Sequence, residues 1–316
     1  MKNIIKGVAV MPFDRLIDSI IKLDNPTVAG LDPKLDYIPG YIKEPIFKEM
    51  GNTLEAASEA IWQFNKGLID ALYDIVPAVK PQCAYYEMYG WQGMKTLKRT
   101  IDYASQKGMF VITDGKRNDI GSTMESYACA HLGKTDINGQ SIPAFNGDAL
   151  TVNGYLGTDG IKPLIDICNK EDKGIFVLVK TSNPSSGELQ DLKLQENISI
   201  YEKMGMLCEQ WGSSIMGKKY NYSGVGAVVG ATYPEQLLEL RAKLPHTFFL
   251  VPGYGAQGGG AKGIAPAFDK NGIGAIVNSS RAIMCAYKKE NCDEKDYAGA
   301  ARREALRMQS DLRNFL

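Results

Sequence analysis

The chain has 316 residues, 44% of them hydrophobic, and its 36 basic and 36 acidic side chains cancel to a formal charge of zero. That balance excludes a disordered chain, which needs low hydrophobicity and high net charge, and it argues against nucleic acid as a partner, because phosphate backbones recruit strongly basic surfaces. No apolar run approaches the roughly 18 residues that a membrane span requires.

The chain opens on MKNIIKGVAV, whose apolar part is short and is soon interrupted by Asp14, Arg15 and Asp18. A signal peptide is therefore not expected, and residues 11–23 read as a helical segment. Eight apolar runs follow: 27–32 (TVAGLD), 75–80 (IVPAVK), 109–114 (MFVITD), 148–153 (DALTVN), 174–180 (GIFVLVK), 225–230 (VGAVVG), 247–252 (TFFLVP) and 274–279 (GAIVNS). Near-continuous Val, Ile and Leu suits parallel strands buried on both faces. Between them, 54–72, 94–105, 198–211 and 235–242 carry apolar residues at helical spacing, and 294–312 reads as a charged closing helix.

Eight strands alternating with helices predict one α/β domain over residues 1–316, a single (β/α)8 TIM barrel with extended loops. A doubly wound sheet would follow its first strand with a GxGxxG turn, whereas this chain continues AGLDPKLDYIPG. The longest irregular stretches are expected at 33–53, 132–147, 182–197, 212–224 and 253–264. Three of them, 33–53, 182–197 and 253–264, leave a strand directly and so belong to the face where barrels carry chemistry.

Six cysteines without a CxxC pair suggest reduced thiols in a cytoplasmic protein. The two histidines, His131 and His246, lie far apart and leave few candidates for a zinc site or a Ser-His-Asp triad; both read as ordinary surface or helix residues. Trp62, Trp91 and Trp211 fall in or beside helical patterns as packing groups, and Met204, Met206 and Leu207 look like core filling. Tyr85, Tyr86, Tyr89 and Trp91 follow Lys80 and suit either a pocket lining or a contact between subunits.

The densest chemistry is DGKRNDIGST, residues 114–123. Strand alternation turns Asp114 and Lys116 toward the same side, into the barrel mouth. Asp119 follows where the strand yields to a loop or helix start, and Ser122 and Thr123 are candidate caps of that helix. Alone, such a stretch suits a structural ion pair as well as a catalytic one. Asp32 and Lys80 end the first two strands, however, so four charges of alternating sign converge on one mouth. Buried charge is an inefficient source of stability, and such a cluster suits chemistry better. Farther on, GYGAQGGGAKG (253–263) suits either a surface loop or an anion cradle, and Arg281 beyond the last strand favours the cradle, since barrels often hold phosphate after strands seven and eight. Ser182, in TSNPSSGELQ, suits a turn or a polar contact to a ligand.

Together these stations resemble the orotidine 5′-phosphate decarboxylase family: GLD at 30–32, VK at 79–80, the D-x-K-x-x-D stretch at 114–119 with Thr123, TSNP at 181–184, VPGYGAQGG at 251–259 and NSSRAI at 278–283. The long loops are similar to the longer bacterial branch. The resemblance implies removal of CO2 from orotidine 5′-phosphate to give uridine 5′-phosphate, the last step of de novo pyrimidine synthesis, with no cofactor and no metal. It implies that Asp32 and Lys80 hold the ribose hydroxyls, that Asp114 sits against the substrate carboxylate and that Lys116 protonates C6. It further implies Ser182 on the pyrimidine ring and Pro252, Gln257 and Arg281 at the phosphate. It implies a homodimer in which Asp119 and Thr123 serve the partner's site. Many relatives carry His after the serine; here Asn183 takes that place. The competing expectations are a Mg2+-dependent sugar-phosphate decarboxylase or aldolase of the same barrel type, and a phosphate-ligand binding barrel without turnover.

Overall fold

Each of the eight apolar runs forms a strand in the computed structural model, which describes residues 11–255 and 260–316. The strands are β1 (Thr27–Leu31), β2 (Ala78–Pro81), β3 (Phe110–Arg117), β4 (Ala149–Val152), β5 (Gly174–Lys180), β6 (Val225–Val229), β7 (Phe249–Val251) and β8 (Ala275–Ser279). All pair in parallel, each with its sequence neighbours, and β8 returns to β1, so the barrel closes and leaves no sheet edge. Among the described residues no helix is long and apolar enough to cross a membrane.

Alternation along the strands sorts the side chains. Val28, Ala78, Phe110, Ile112, Ala149, Phe176, Val228, Leu250 and Ile276 fill the barrel interior. Ala29, Val79, Val111, Leu150 and Val177, one residue out of step, pack outward under the helices. This two-residue period carries the interior row upward to Asp32, Lys80, Asp114, Thr151, Pro252 and Asn278 at the strand ends. The polar mouth is thus the last layer of an otherwise apolar cylinder.

The opposite end is shut by α1 (Pro12–Leu23), the helix expected at 11–23. Phe13 is fully buried there against Phe110, Phe176 and Phe248, with ring centroids 4.9 Å from Phe176 and 5.3 Å from Phe248. Asp14 pins the helix by accepting from the backbone N–H groups of Lys218, Lys219 and Tyr220.

The helices expected at 54–72, 94–105, 198–211 and 235–242 are found at Leu54–Leu72, Gly90–Gln106, Ile200–Gly212 and Pro234–Lys243. The last helix, Tyr297–Arg313, turns Tyr297, Ala300, Ala301, Ala305, Met308 and Leu312 inward together with Glu304, which pairs with Arg307, and leaves Arg303, Arg307 and Arg313 exposed.

Several expectations fail for identifiable reasons. Residues 33–53 are not irregular: they form a 3-10 turn, Leu35–Tyr37, and a helix, Gly40–Met50. That helix is capped from across the chain, Glu294 accepting from the N–H groups of Gly40 and Tyr41, a partner no local reading supplies. Within 132–147 a small hairpin pairs Thr135–Ile137 with Gln140–Ile142. The helices Gly121–His131 and Thr158–Glu171 complete the alternation. Ser122 and Thr123 do not cap the first of them; both lie within it, after Ile120. Trp91 is 68% exposed and Met206 is exposed, so neither fills a core, while Trp211 is buried and donates to Thr158.

Candidate active site

Asp114 is the centre of the mouth. Its side chain continues the interior row of Phe110 and Ile112 and is buried. Lys80 Nζ donates to Asp114 Oδ2 at 2.6 Å, and Lys116 Nζ donates to Oδ1 at 2.6 Å. Thr151 Oγ1 donates to the same Oδ1 at 2.7 Å. Both carboxylate oxygens are therefore engaged. Asp32 lies beyond Lys80, with Oδ1 4.0 Å from its ammonium nitrogen. Two carboxylates and two ammonium groups alternate along this chain, so the cluster is neutral as a whole.

Electrostatics keep both members of the central pair charged. Burial alone would raise the Asp114 carboxyl, but the ammonium groups of Lys80 and Lys116 outweigh it and hold the acid well below the usual carboxylate range. Burial likewise penalises the Lys80 ammonium, and the charges of Asp114 and Asp32 more than compensate, raising it above its ordinary value.

Lys116 reaches the cluster by a route that simple alternation does not describe. The pairing of β3 with β4 slips between Thr113 and Arg117, and Lys116 takes a left-handed backbone, φ +46°. A non-glycine residue there is strained, and such strain concentrates at functional sites. Thr151 holds the bulge: its Oγ1 also accepts from the Lys116 N–H at 3.0 Å. Arg117 braces the other side, donating to Gly115 O at 3.0 Å and pairing with Glu87. Lys116 thus extends into the mouth with its side chain 46% exposed, while the acid it pairs with stays buried.

Lys80, Asp114, Lys116 and Thr151 line one side of a cavity of about 480 Å3. Its other polar residues are Thr181, Ser182, Asn183 and Gln190, and Leu178, Val228, Leu250 and Pro252 add apolar surface. Ser182 comes close because residue 230 is glycine; a Cβ there would meet the Ser182 backbone at 3.0 Å. A second cavity of about 410 Å3 holds Asp32, Lys34, Gly253, Asn278, Ser280 and Arg281 among its lining. The two adjoin at the Lys80–Asp32 contact and at Pro252–Gly253. Asp32 Oδ1 and Asn278 Oδ1 are buried without a hydrogen-bond partner among the described residues, acceptors in wait of donors at that junction.

Of the expected site residues, Asp32, Lys80, Asp114, Lys116, Ser182, Pro252 and Arg281 come together along these two cavities. Asp119 and Thr123 do not line either cavity of their own chain: Asp119 accepts from the Ile120 N–H, and Thr123 is exposed on the following helix. Gln257 lies outside the described residues. Sequence reasoning missed Thr151, Gln190 and Asn278. For Thr151 a signal was present, a hydroxyl two residues after Ala149 on the interior face of an apolar run.

Comparison with known proteins gives consistent findings. A family model described as Orotidine 5′-phosphate decarboxylase / HUMPS family matches residues 58–293. The chain is 44% identical over 299 residues to a protein of Rhodopirellula baltica named orotidine 5′-phosphate decarboxylase, covering 93% of this chain and 96% of that one. It is 42% identical over 275 residues to a protein of the same name from Caldicellulosiruptor saccharolyticus, covering 87% and 90%. Among solved structures it is similar to Leishmania donovani OMP decarboxylase, TM-score 0.66 and 28% identity over 93% of this chain and 99% of that one. It is also similar to Leishmania donovani UMP synthase, TM-score 0.71 and 30% identity over 95% of this chain and 57% of that one.

Proposed function

The chain belongs to the orotidine 5′-phosphate decarboxylase / HUMPS family and is a carbon–carbon lyase, and from that premise we propose that it converts orotidine 5′-phosphate to uridine 5′-phosphate and CO2 without a metal or organic cofactor. The observation that carries this reading is Asp114 held between two ammonium groups, Lys80 and Lys116, at 2.6 Å each.

Breaking the bond between C6 and its carboxylate leaves an electron pair in the ring plane, where little delocalisation is available. Stabilisation must then come from fixed charge. Lys116 supplies that charge and delivers a proton to C6, so the pair becomes a C–H bond and the amine is reprotonated from solvent. Asp114 keeps its negative charge throughout, fixes the Lys116 ammonium and faces the departing carboxylate. Lys80 neutralises Asp114 from the other side and, with Asp32, meets the ribose hydroxyls. The partnerless acceptors Asp32 Oδ1 and Asn278 Oδ1 suit hydroxyl donors. Ser182 meets the pyrimidine ring.

The phosphate lies in the cavity lined by Arg281, with Pro252 and Gln257 completing the grip. Its binding energy orders the site from a distance. Asp119 and Thr123, at the rim and outside their own chain's cavity, serve the site of a second copy in a homodimer. Six free thiols suit a cytoplasmic setting.

The deciding experiment adds orotidine 5′-phosphate with excess chelator and follows the ultraviolet change as uridine 5′-phosphate forms. Turnover that vanishes with chelator and returns with Mg2+ would overturn the cofactor-free reading, and no turnover under either condition would favour the metal-dependent sugar-phosphate enzyme or the binding barrel.

A further inference from the structure

The charged cluster accounts for one side of the larger cavity. The remaining polar lining comes from a lobe, residues 181–191, that leaves β5 and folds back through a 3-10 turn (Pro184–Ser186) and a short helix (Gly187–Gln190). Its hydrogen bonds fix the polarity of that lining. The backbone N–H of Thr181 can only donate, so the amide oxygen of Gln190 must face it, at 2.9 Å. Gln190 Nε2 then donates to Thr181 Oγ1 at 2.7 Å, and that hydroxyl donates onward to Asn183 Oδ1 at 2.6 Å. The acceptors of both amides are thereby committed to Thr181. A second N–H on Gln190 and both N–H groups of Asn183 remain for whatever enters the cavity, beside the Ser182 hydroxyl, which donates or accepts.

The lobe is anchored. Asp191, next to Gln190, accepts from Lys180 Nζ at 2.6 Å. Lys180 is 1% exposed, also donates to the buried Ser186 and lies over the rings of Tyr201 and Tyr233. A buried cation with these partners fixes the segment that carries Gln190.

A pyrimidine whose C6 lies at Lys116 presents its far edge away from the cluster. In a uracil-type ring that edge reads acceptor, donor, acceptor: C2=O, N3–H, C4=O. Amide donors flanking a hydroxyl match it. A cytosine-type ring offers an acceptor at N3 and an amino donor at C4, which would set donor against donor. Resting on the decarboxylase reading above, we infer that Gln190 is a specificity-determining residue: held by Thr181, it donates to a ring carbonyl and selects uracil-type over cytosine-type nucleotides.

Titration calorimetry with uridine 5′-phosphate and cytidine 5′-phosphate tests this on the wild type, Gln190→Ala and Gln190→Glu. The glutamate variant keeps the acceptor for Thr181 N–H and removes the donors, so the lobe retains its tie. Each variant is expected to lose about tenfold in affinity for the uridine nucleotide, with cytidine binding changed less than about twofold, so the preference falls about tenfold. A lobe that merely comes loose weakens both nucleotides alike; equal loss, or an unchanged ratio in both variants, overturns the inference. If the wild type turns over orotidine 5′-phosphate while the ratio stays fixed, this inference fails alone. If the wild type neither turns over substrate nor distinguishes the two nucleotides, it fails together with the decarboxylase reading.

Discussion

The two polar sides of the cavity are built in opposite ways. On one, Lys80, Asp114 and Thr151 stand on β2, β3 and β4, are buried and are joined by charge. On the other, Thr181, Ser182, Asn183 and Gln190 sit in the lobe that follows β5 and are half-buried or exposed, and Thr181 is joined to Gln190 and Asn183 by neutral hydrogen bonds. A transient carbanion needs charge that does not relax, and strands bonded on both flanks provide it. A neutral ring edge needs only donors facing acceptors, which a loop can supply if it is tied down, here by one buried lysine. The difference predicts that damage to the strand side costs rate, and damage to the lobe costs affinity.

The sharpest way to break that contrast is Lys116→Ala, for which kcat should fall on the order of 10^4-fold. Mixed with Asp119→Ala and allowed to exchange subunits, it should recover part of the activity, because one site of each heterodimer keeps both residues. No recovery despite demonstrated exchange rejects a role for Asp119 across the interface. Next, Asp114→Asn leaves the buried Lys80 ammonium with only the more distant Asp32 carboxylate and should cost about 3 kcal/mol of stability in urea titrations, besides most of the activity. The Asp114 carboxyl is depressed in the folded chain, so its stabilisation is fully present above the ordinary carboxylate range and is lost as pH falls from that range through the lower folded value.

A smaller effect comes from behind the strand side. His131, buried on the helix after β3 and stacked on Phe145 at 5.1 Å, is lowered by burial, and then by Arg117, from 6.5 to about 4. The folded chain holds it neutral, so its stabilisation is present above pH 6.5 and erodes toward pH 4. Between pH 7 and 5 the wild type should lose about 2 kcal/mol that His131→Leu does not lose. Last, Lys180→Met unties the lobe, and KM should rise about fivefold with kcat changing less than twofold. A larger loss in kcat than in affinity would erase the distinction between the two sides.

How far the sequence could be read follows the same division. The eight strands and the charged stations at their ends were legible because a period of two and a run of apolar residues are local properties. Asp114 follows from Phe110 and Ile112 by counting. Alternation aims Lys116 at the mouth, and its side chain lines that cavity, yet the chain gets there through a bulge and a left-handed backbone held by Thr151. What escaped was settled by distant partners. Glu294 caps a helix 254 residues earlier, and Gln190 finds Thr181 only after nine residues of lobe have folded back. Within 33–53 the helix forms despite Pro45 in its interior, because Ile42 and Ile46 share one buried face.

The seal that Phe13 and α1 make beneath the barrel has a consequence for traffic. With Phe13 packed on Phe176 and Phe248 across the base, the barrel is closed beneath the charged mouth among the described residues. On the proposed reaction, nucleotide and released gas share that mouth, so the small molecule must slip outward past the large one or wait for it to go.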